Sequence, residues 1–189
     1  APDRVAPDRE EVFEAYPNRD SLPFIEQYNF DPDWQLEEFV RGTLRLPGWA
    51  AAWDYLFDAI RRLEPGSEEA RLAALSETLW EQHRYTPGEP DRVVLAVELS
   101  AALEGRTIWH HSGVIDAVGN DAGSAMARLV SYPVALAVTS VLEGSMPPGV
   151  STAPSQPQQV AEWFSLLGEL GERVQWLDHL ANTAAGGHA

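Results

Sequence analysis

Arg41 and Arg45 stand two turns of a strand apart in the run Phe39-Val40-Arg41-Gly42-Thr43-Leu44-Arg45-Leu46. A guanidinium is a planar fork of donors that grips carboxylates bidentately and resists burial unless paired. Alternation along an extended segment places Phe39, Arg41, Thr43 and Arg45 on one face and Val40, Gly42, Leu44 and Leu46 on the other. At roughly 3.3 Å per residue the two arginines lie about 13 Å apart. That spacing suits a ligand carrying carboxylates at separated positions. It equally suits pairing with some of the chain's own 29 Asp and Glu residues. Asn18 and Arg19 follow Pro17 and precede a helix start, a position where turn chemistry alone accounts for both residue types.

Other chemistry finds less support. His110 and His111 are neighbours, so a strand sends them to opposite faces, where they cannot hold one metal ion. His83 and His179 show no ligand spacing to each other or to a carboxylate motif, and all four read as structural or surface residues. No metal ligand and no catalytic residue is assigned. Acid pairs such as Glu10-Glu11, Glu37-Glu38 and Glu68-Glu69 read as solvated surface or helix N-termini. The nucleophile elbow, the paired-histidine zinc helix, the P-loop and the dinucleotide fingerprint are all missing. Val118 to Ser124 holds two glycines before a helix but lacks fingerprint spacing, and reads as ordinary loop-to-helix turn chemistry.

Composition narrows the classes further. The chain has no Cys, which excludes disulfides, thiolate catalysis and Cys-ligated zinc. It has no Lys, since all 13 basic residues are Arg, which excludes Schiff-base chemistry and a P-loop lysine. A net charge of −16 repels nucleic-acid phosphates and anionic lipid headgroups. Neither nucleic acid nor membrane is expected as a partner. No run of 18 apolar residues and no signal-peptide pattern is found, so no transmembrane helix is expected, and the lack of Cys fits an expected cytoplasmic location.

The elements that must position these residues follow from periodicity. Residues 1–10 read as a linker or lead-in, 11–180 as one domain, and 181–189 as a frayed tail. Val12 to Tyr16 reads as a strand, Ser21 as the cap of a short helix to Tyr28, and 38–46 as a second strand. Trp49, Trp53, Leu56, Phe57, Ile60 and Leu63 recur at helical spacing. Ser67-Glu68-Glu69 opens a second helix to about Trp80. Residues 93–115 read as a long β-hairpin turning at Glu104-Gly105. A long apolar helix spans roughly 122–143, with Pro133 expected to kink or interrupt it. A last helix carries Val160 to Leu170. The order is not strict βαβ alternation, so the expected class is α+β: a mixed or antiparallel sheet with helices packed mainly on one face.

Three segments resemble the saccharopine dehydrogenase family. Tyr16-Pro-Asn-Arg-Asp-Ser21 looks like its Y-P-N-R-D-S element, and Arg41-Gly-Thr-Leu-Arg-Leu-Pro-Gly-Trp49 its R-G-T-L-R-Y-x-G-[WY] element. Ser124-Ala-Met-Ala-Arg128 with Tyr132-Pro133 is similar to its S-M-A-[RK]-T-x-G-x-P helix. They occur in the family's order and span about residues 11–180. The chain departs at Leu129-Val130-Ser131, where the family carries threonine and then glycine, and at Leu46, where an aromatic is usual.

The resemblance implies the C-terminal substrate-binding and dimerisation domain of an enzyme that uses NAD or NADP for hydride transfer between an imine and a secondary amine. The nucleotide-binding half of such an enzyme has no counterpart here. The chain alone is expected to bind no cofactor and to be inactive. Asn18, Arg19, Arg41 and Arg45, and more remotely Arg128, are the implied contacts to a carboxylate-bearing, amino-acid-derived substrate. A homodimer is implied as well. The alternative is a non-catalytic oligomerisation or interaction module that kept the fold.

Overall fold

The computed structural model describes residues 3–5, 11–18, 20–28, 30–146, 149–150 and 153–181. Arg19 and the expected tail from 182 onward lie outside the described residues. The class is α+β, and the strands fall into two separate three-stranded antiparallel sheets, not one.

The first sheet joins β1 (Asp3–Val5), β2 (Phe13–Pro17) and β3 (Gly42–Arg45) in that order. β1 comes from the segment expected to be a lead-in and pairs Asp3 with Ala15 and Val5 with Phe13. The expected strand over 38–46 shrinks to four residues, because β2 offers partners only from Glu14 (opposite Arg45) to Pro17 (opposite Gly42). The expected helix from Ser21 to Tyr28 is instead two 3₁₀ turns, Leu22–Phe24 and Glu26–Tyr28. Ser21 makes no cap. Its Oγ accepts a hydrogen bond from the backbone N–H of Arg41 at 3.0 Å, which fastens the 3₁₀ turns to the entry of β3.

Gly48 then takes a left-handed φ of 85°, which a glycine tolerates, and releases the chain into α1 (Trp49–Arg61). α2 (Glu68–His83) follows. Its first-turn acid Glu68 accepts from the backbone N–H of Gly66, and Ser67 does not cap it.

The second sheet joins β4 (Arg92–Leu103), β5 (Arg106–Val118) and β6 (Gln175–Asp178). The hairpin turns at Glu104 and Gly105, both at positive φ (52° and 74°), which matches the twist of the flanking strands. β6 is a strand that helical periodicity does not announce: five residues after the last helix, it pairs with His111 to Val114.

Between these lie α3 (Ala125–Leu142) and α4 (Pro157–Glu169). α3 starts at Ala125 and not at 122, because Asn120 and Gly123 close on each other through two backbone hydrogen bonds. Ser124 caps the helix by accepting from Ala127 N–H. α3 runs unbroken through Pro133, contrary to the expected interruption. By length and composition alone α3 could cross a membrane, but its first turn is held by carboxylates and a buried arginine.

Asp91 supplies one of those holds. Its carboxylate accepts from Ala125 N–H at 2.7 Å and from Met126 N–H at 2.9 Å. Both donors are orphan groups of the helix start and carry the positive end of its dipole. The donors from Met126 and then Ala125 hold the Asp91 carboxyl below the usual range. Arg92, the next residue, ties the sheets together. It grips Asp116 through two bonds of 2.8 and 2.7 Å and reaches Glu11 at 2.8 Å.

A depressed carboxyl contributes stability that is complete above its unfolded pKa, roughly 3.9, and is lost as pH falls through its lower folded value. Asp91→Asn should therefore lower Tm at pH 7. The gap between variant and wild type should narrow as the pH drops below about 4. Thermal melts of both proteins at pH 7, 5 and 3.5 check this, and a gap that widens on acidification would contradict it.

Candidate functional site

Register settles which side chains share a face of the first sheet. Glu14 opposes Arg45 and Tyr16 opposes Thr43, so all four project to one side. Arg41 precedes Gly42 on the same alternation, and its carbonyl accepts from Asn18 N–H at 3.0 Å. The fold thus brings Asn18 and Arg41 side by side at the open end of the β2–β3 ladder. Arg45 stands at the other end.

Neither arginine makes an ion pair among the described residues, although the chain is rich in acids. Each is held by an aromatic ring. The Arg41 guanidinium carbon sits 3.7 Å from the centroid of Phe24, and that of Arg45 sits 5.1 Å from Trp49. Stacking on a ring fixes the plane of the fork while leaving its in-plane N–H donors able to meet a carboxylate. Phe24 is placed for this by the 3₁₀ turn that Ser21 fastens to Arg41.

Trp49 is buttressed in turn. Its ring lies 5.1 Å from Tyr16, 5.6 Å from Trp53 and 5.6 Å from Phe57. Glu14 links the same group: Tyr16 Oη donates to its Oε2 at 2.7 Å, and Gly48 N–H donates to its Oε1 at 3.0 Å. The bond to Glu14, then partial burial and the Glu14 charge, raise the Tyr16 phenol above its ordinary value. Glu14, Tyr16 and Trp49 belong to this face yet escaped assignment as contacts. The sequence signal was there, since Tyr16 and Trp49 terminate the two motifs that contain Asn18 and Arg41.

Arg128 is elsewhere and does something else. Its side chain is 7% exposed and faces Glu172, itself 5% exposed, at 2.6 Å. Further bonds reach Asn120 Oδ1 at 3.0 Å and the carbonyls of Gly123 at 2.6 Å and Val118 at 3.0 Å. One guanidinium therefore joins the end of β5, the turn before α3 and the segment after α4. It is not on the Arg41–Arg45 face.

The loop from Val118 to Ser124 closes the question of a phosphate cradle. The N–H groups that could receive an anion, on Ala125 and Met126, are already filled by Asp91. A Cβ on Gly119 would meet Asp91 Oδ1 at 2.5 Å, so the glycine makes room for that carboxylate. Both sheets are antiparallel, and no parallel βαβ unit exists among the described residues. These residues do not fit a dinucleotide.

No curated protein and no solved structure matches the chain. A family model does, the saccharopine dehydrogenase C-terminal domain, over residues 2–173.

The placements predict opposite outcomes for two kinds of arginine. Removing one partner of a buried ion pair costs about 3–5 kcal/mol, so Arg128→Ala should destabilise the fold by that much in urea denaturation. Arg41→Ala and Arg45→Ala should each stay within about 1 kcal/mol of wild type. Equal losses for all three would contradict the assignment. On the match over nearly its whole length, the chain belongs to the saccharopine dehydrogenase C-terminal domain family, a domain of NAD(P)-dependent oxidoreductases.

Proposed function

We propose that this chain is the substrate-binding and dimerisation domain of a cytoplasmic NAD(P)-dependent oxidoreductase. Its substrate is an amino-acid-derived secondary amine or imine, saccharopine-like, oxidised or reduced at its CH–NH bond. The nicotinamide cofactor supplies the hydride chemistry when bound by a nucleotide-binding domain of the full-length protein. This chain binds and orients the substrate and is inactive alone.

One observation carries the reading. Two guanidiniums on one sheet face are oriented by aromatic rings and lack a carboxylate partner among the described residues, in a chain of net charge −16. With so many acids available, arginines left unpaired but pre-oriented are what a carboxylate-bearing ligand requires. Asn18 joins Arg41, and Arg19 follows Asn18 in sequence. Arg128, the more remote candidate, has its donors taken by Glu172, Asn120 and two carbonyls.

Two grooves lie away from this face: one is lined by Phe164, Arg173 and Trp176, and the other by Val134, Val138, Val141 and Trp163.

A second reading has its own observation. β4 is the outer strand of its sheet, and Leu95, Val97 and Leu99 on one of its faces are each about half exposed. An unpaired edge beside an apolar face suits pairing with a second copy, with or without catalysis.

Kinetics of the full-length gene product separate the two. Loss of a charge-assisted contact weakens ground-state binding, so Arg41→Ala should raise KM for the carboxylate substrate about 10- to 100-fold, with Tm unchanged. Unchanged kinetics would remove Arg41 from the site and favour the oligomerisation module.

A further inference from the structure

We propose that the second sheet carries a site for a divalent transition-metal ion, of the zinc type, formed by Glu98, His110 and His179. One ligand atom from each of the three lies within 4.8 Å of the others.

The register explains the convergence. Glu98 on β4 opposes Ser112, and Ser100 opposes His110, so Glu98 and His110 are diagonal neighbours on one face. On the other side of β5, His111 opposes Asp178 and Ser112 opposes Leu177. The chain turns helical straight after Asp178, and this turn lays the His179 ring against that of His110. β4 and β5 thus contribute one ligand each, and the helical turn that follows β6 contributes the third. His111 points to the opposite face, where it stacks on Trp109.

The distances suit the chemistry. Zn–N and Zn–O bonds of about 2.0–2.1 Å at tetrahedral angles put ligand atoms about 3.3 Å apart. His110 Nε2 and Glu98 Oε1 now lie 2.7 Å apart, so a small separation would admit the ion. The rings of His110 and His179 lie 4.3 Å apart at 31°. Ser112 Oγ lies 2.9 Å from His179 Nε2 and is buried, so the ring is held by a fixed outer contact. Two imidazoles and a carboxylate form the donor set of an open zinc centre, which keeps a position for water or another ligand. The site is reachable from solvent: the Glu98 side chain is 56% exposed and that of His110 29%. A bound ion would staple β6 to the hairpin.

Isothermal titration of the untagged full-length protein with zinc chloride tests this. One equivalent should bind per chain, and a saturating excess of roughly a hundredfold over Kd should raise Tm by about 5–10 °C. Glu98→Gln, His110→Ala and His179→Ala should each weaken binding at least about 10-fold. His83→Ala and His111→Ala should not. Should a ligand variant fail to fold, cobalt(II) titration of the wild type decides: visible d–d bands of a four- or five-coordinate ion support the site. Absence of those bands, absence of zinc heat, or full binding by folded His110→Ala and His179→Ala would overturn it.

Discussion

The structure is governed by a shortage of interior. Only Phe13, Leu56, Val114, Ala117, Ala125 and Leu167 form the buried apolar set among the described residues. Burial of apolar area is the main driving force of folding, so little of it is available to fix one arrangement. Polar ties do that work instead. Asp91 holds the start of α3, Arg92 joins the two sheets through Asp116 and Glu11, and Arg128 binds three chain segments to one buried guanidinium. Ion pairs of this kind define geometry more than they add stability.

The apolar surplus has a location. Met126, Val130, Val134, Val138 and Leu142 line one side of α3 at helical spacing and are more than half exposed. Leu95, Val97 and Leu99 line one face of β4. Ring stacking orients Arg41 and Arg45 without spending their donors, and neither has an ion-pair partner among the described residues. A carboxylate ligand would find two forks already set.

Sequence pattern revealed what is local. The hairpin was legible because alternation is strict and Glu104-Gly105 can adopt positive φ. α1 was legible from its tryptophan spacing, and the shared side of Thr43 and Arg45 on β3 from period two. Tertiary competition hid the rest. Ser21 looks like a helix cap, but its hydroxyl serves Arg41. Residues 38–41 look like strand, but β2 ends before them. β6 has four residues, too few for a period, and the turn just past it that brings His179 against His110 has no local signal. Arg128 matched a motif on its helix, yet its buried partner Glu172 lies 44 residues away, beyond any local signal.

The central claim is that this domain serves amine–imine redox chemistry on a carboxylate-bearing substrate. The most direct measurement is NAD(P)-linked amine oxidation by the full-length gene product, screened with saccharopine, lysine and carboxyspermidine-type compounds. The account predicts turnover with at least one substrate whose carboxylates are spaced to meet Arg41 and Arg45. Folded protein that binds the nicotinamide cofactor but turns over none of them would contradict it.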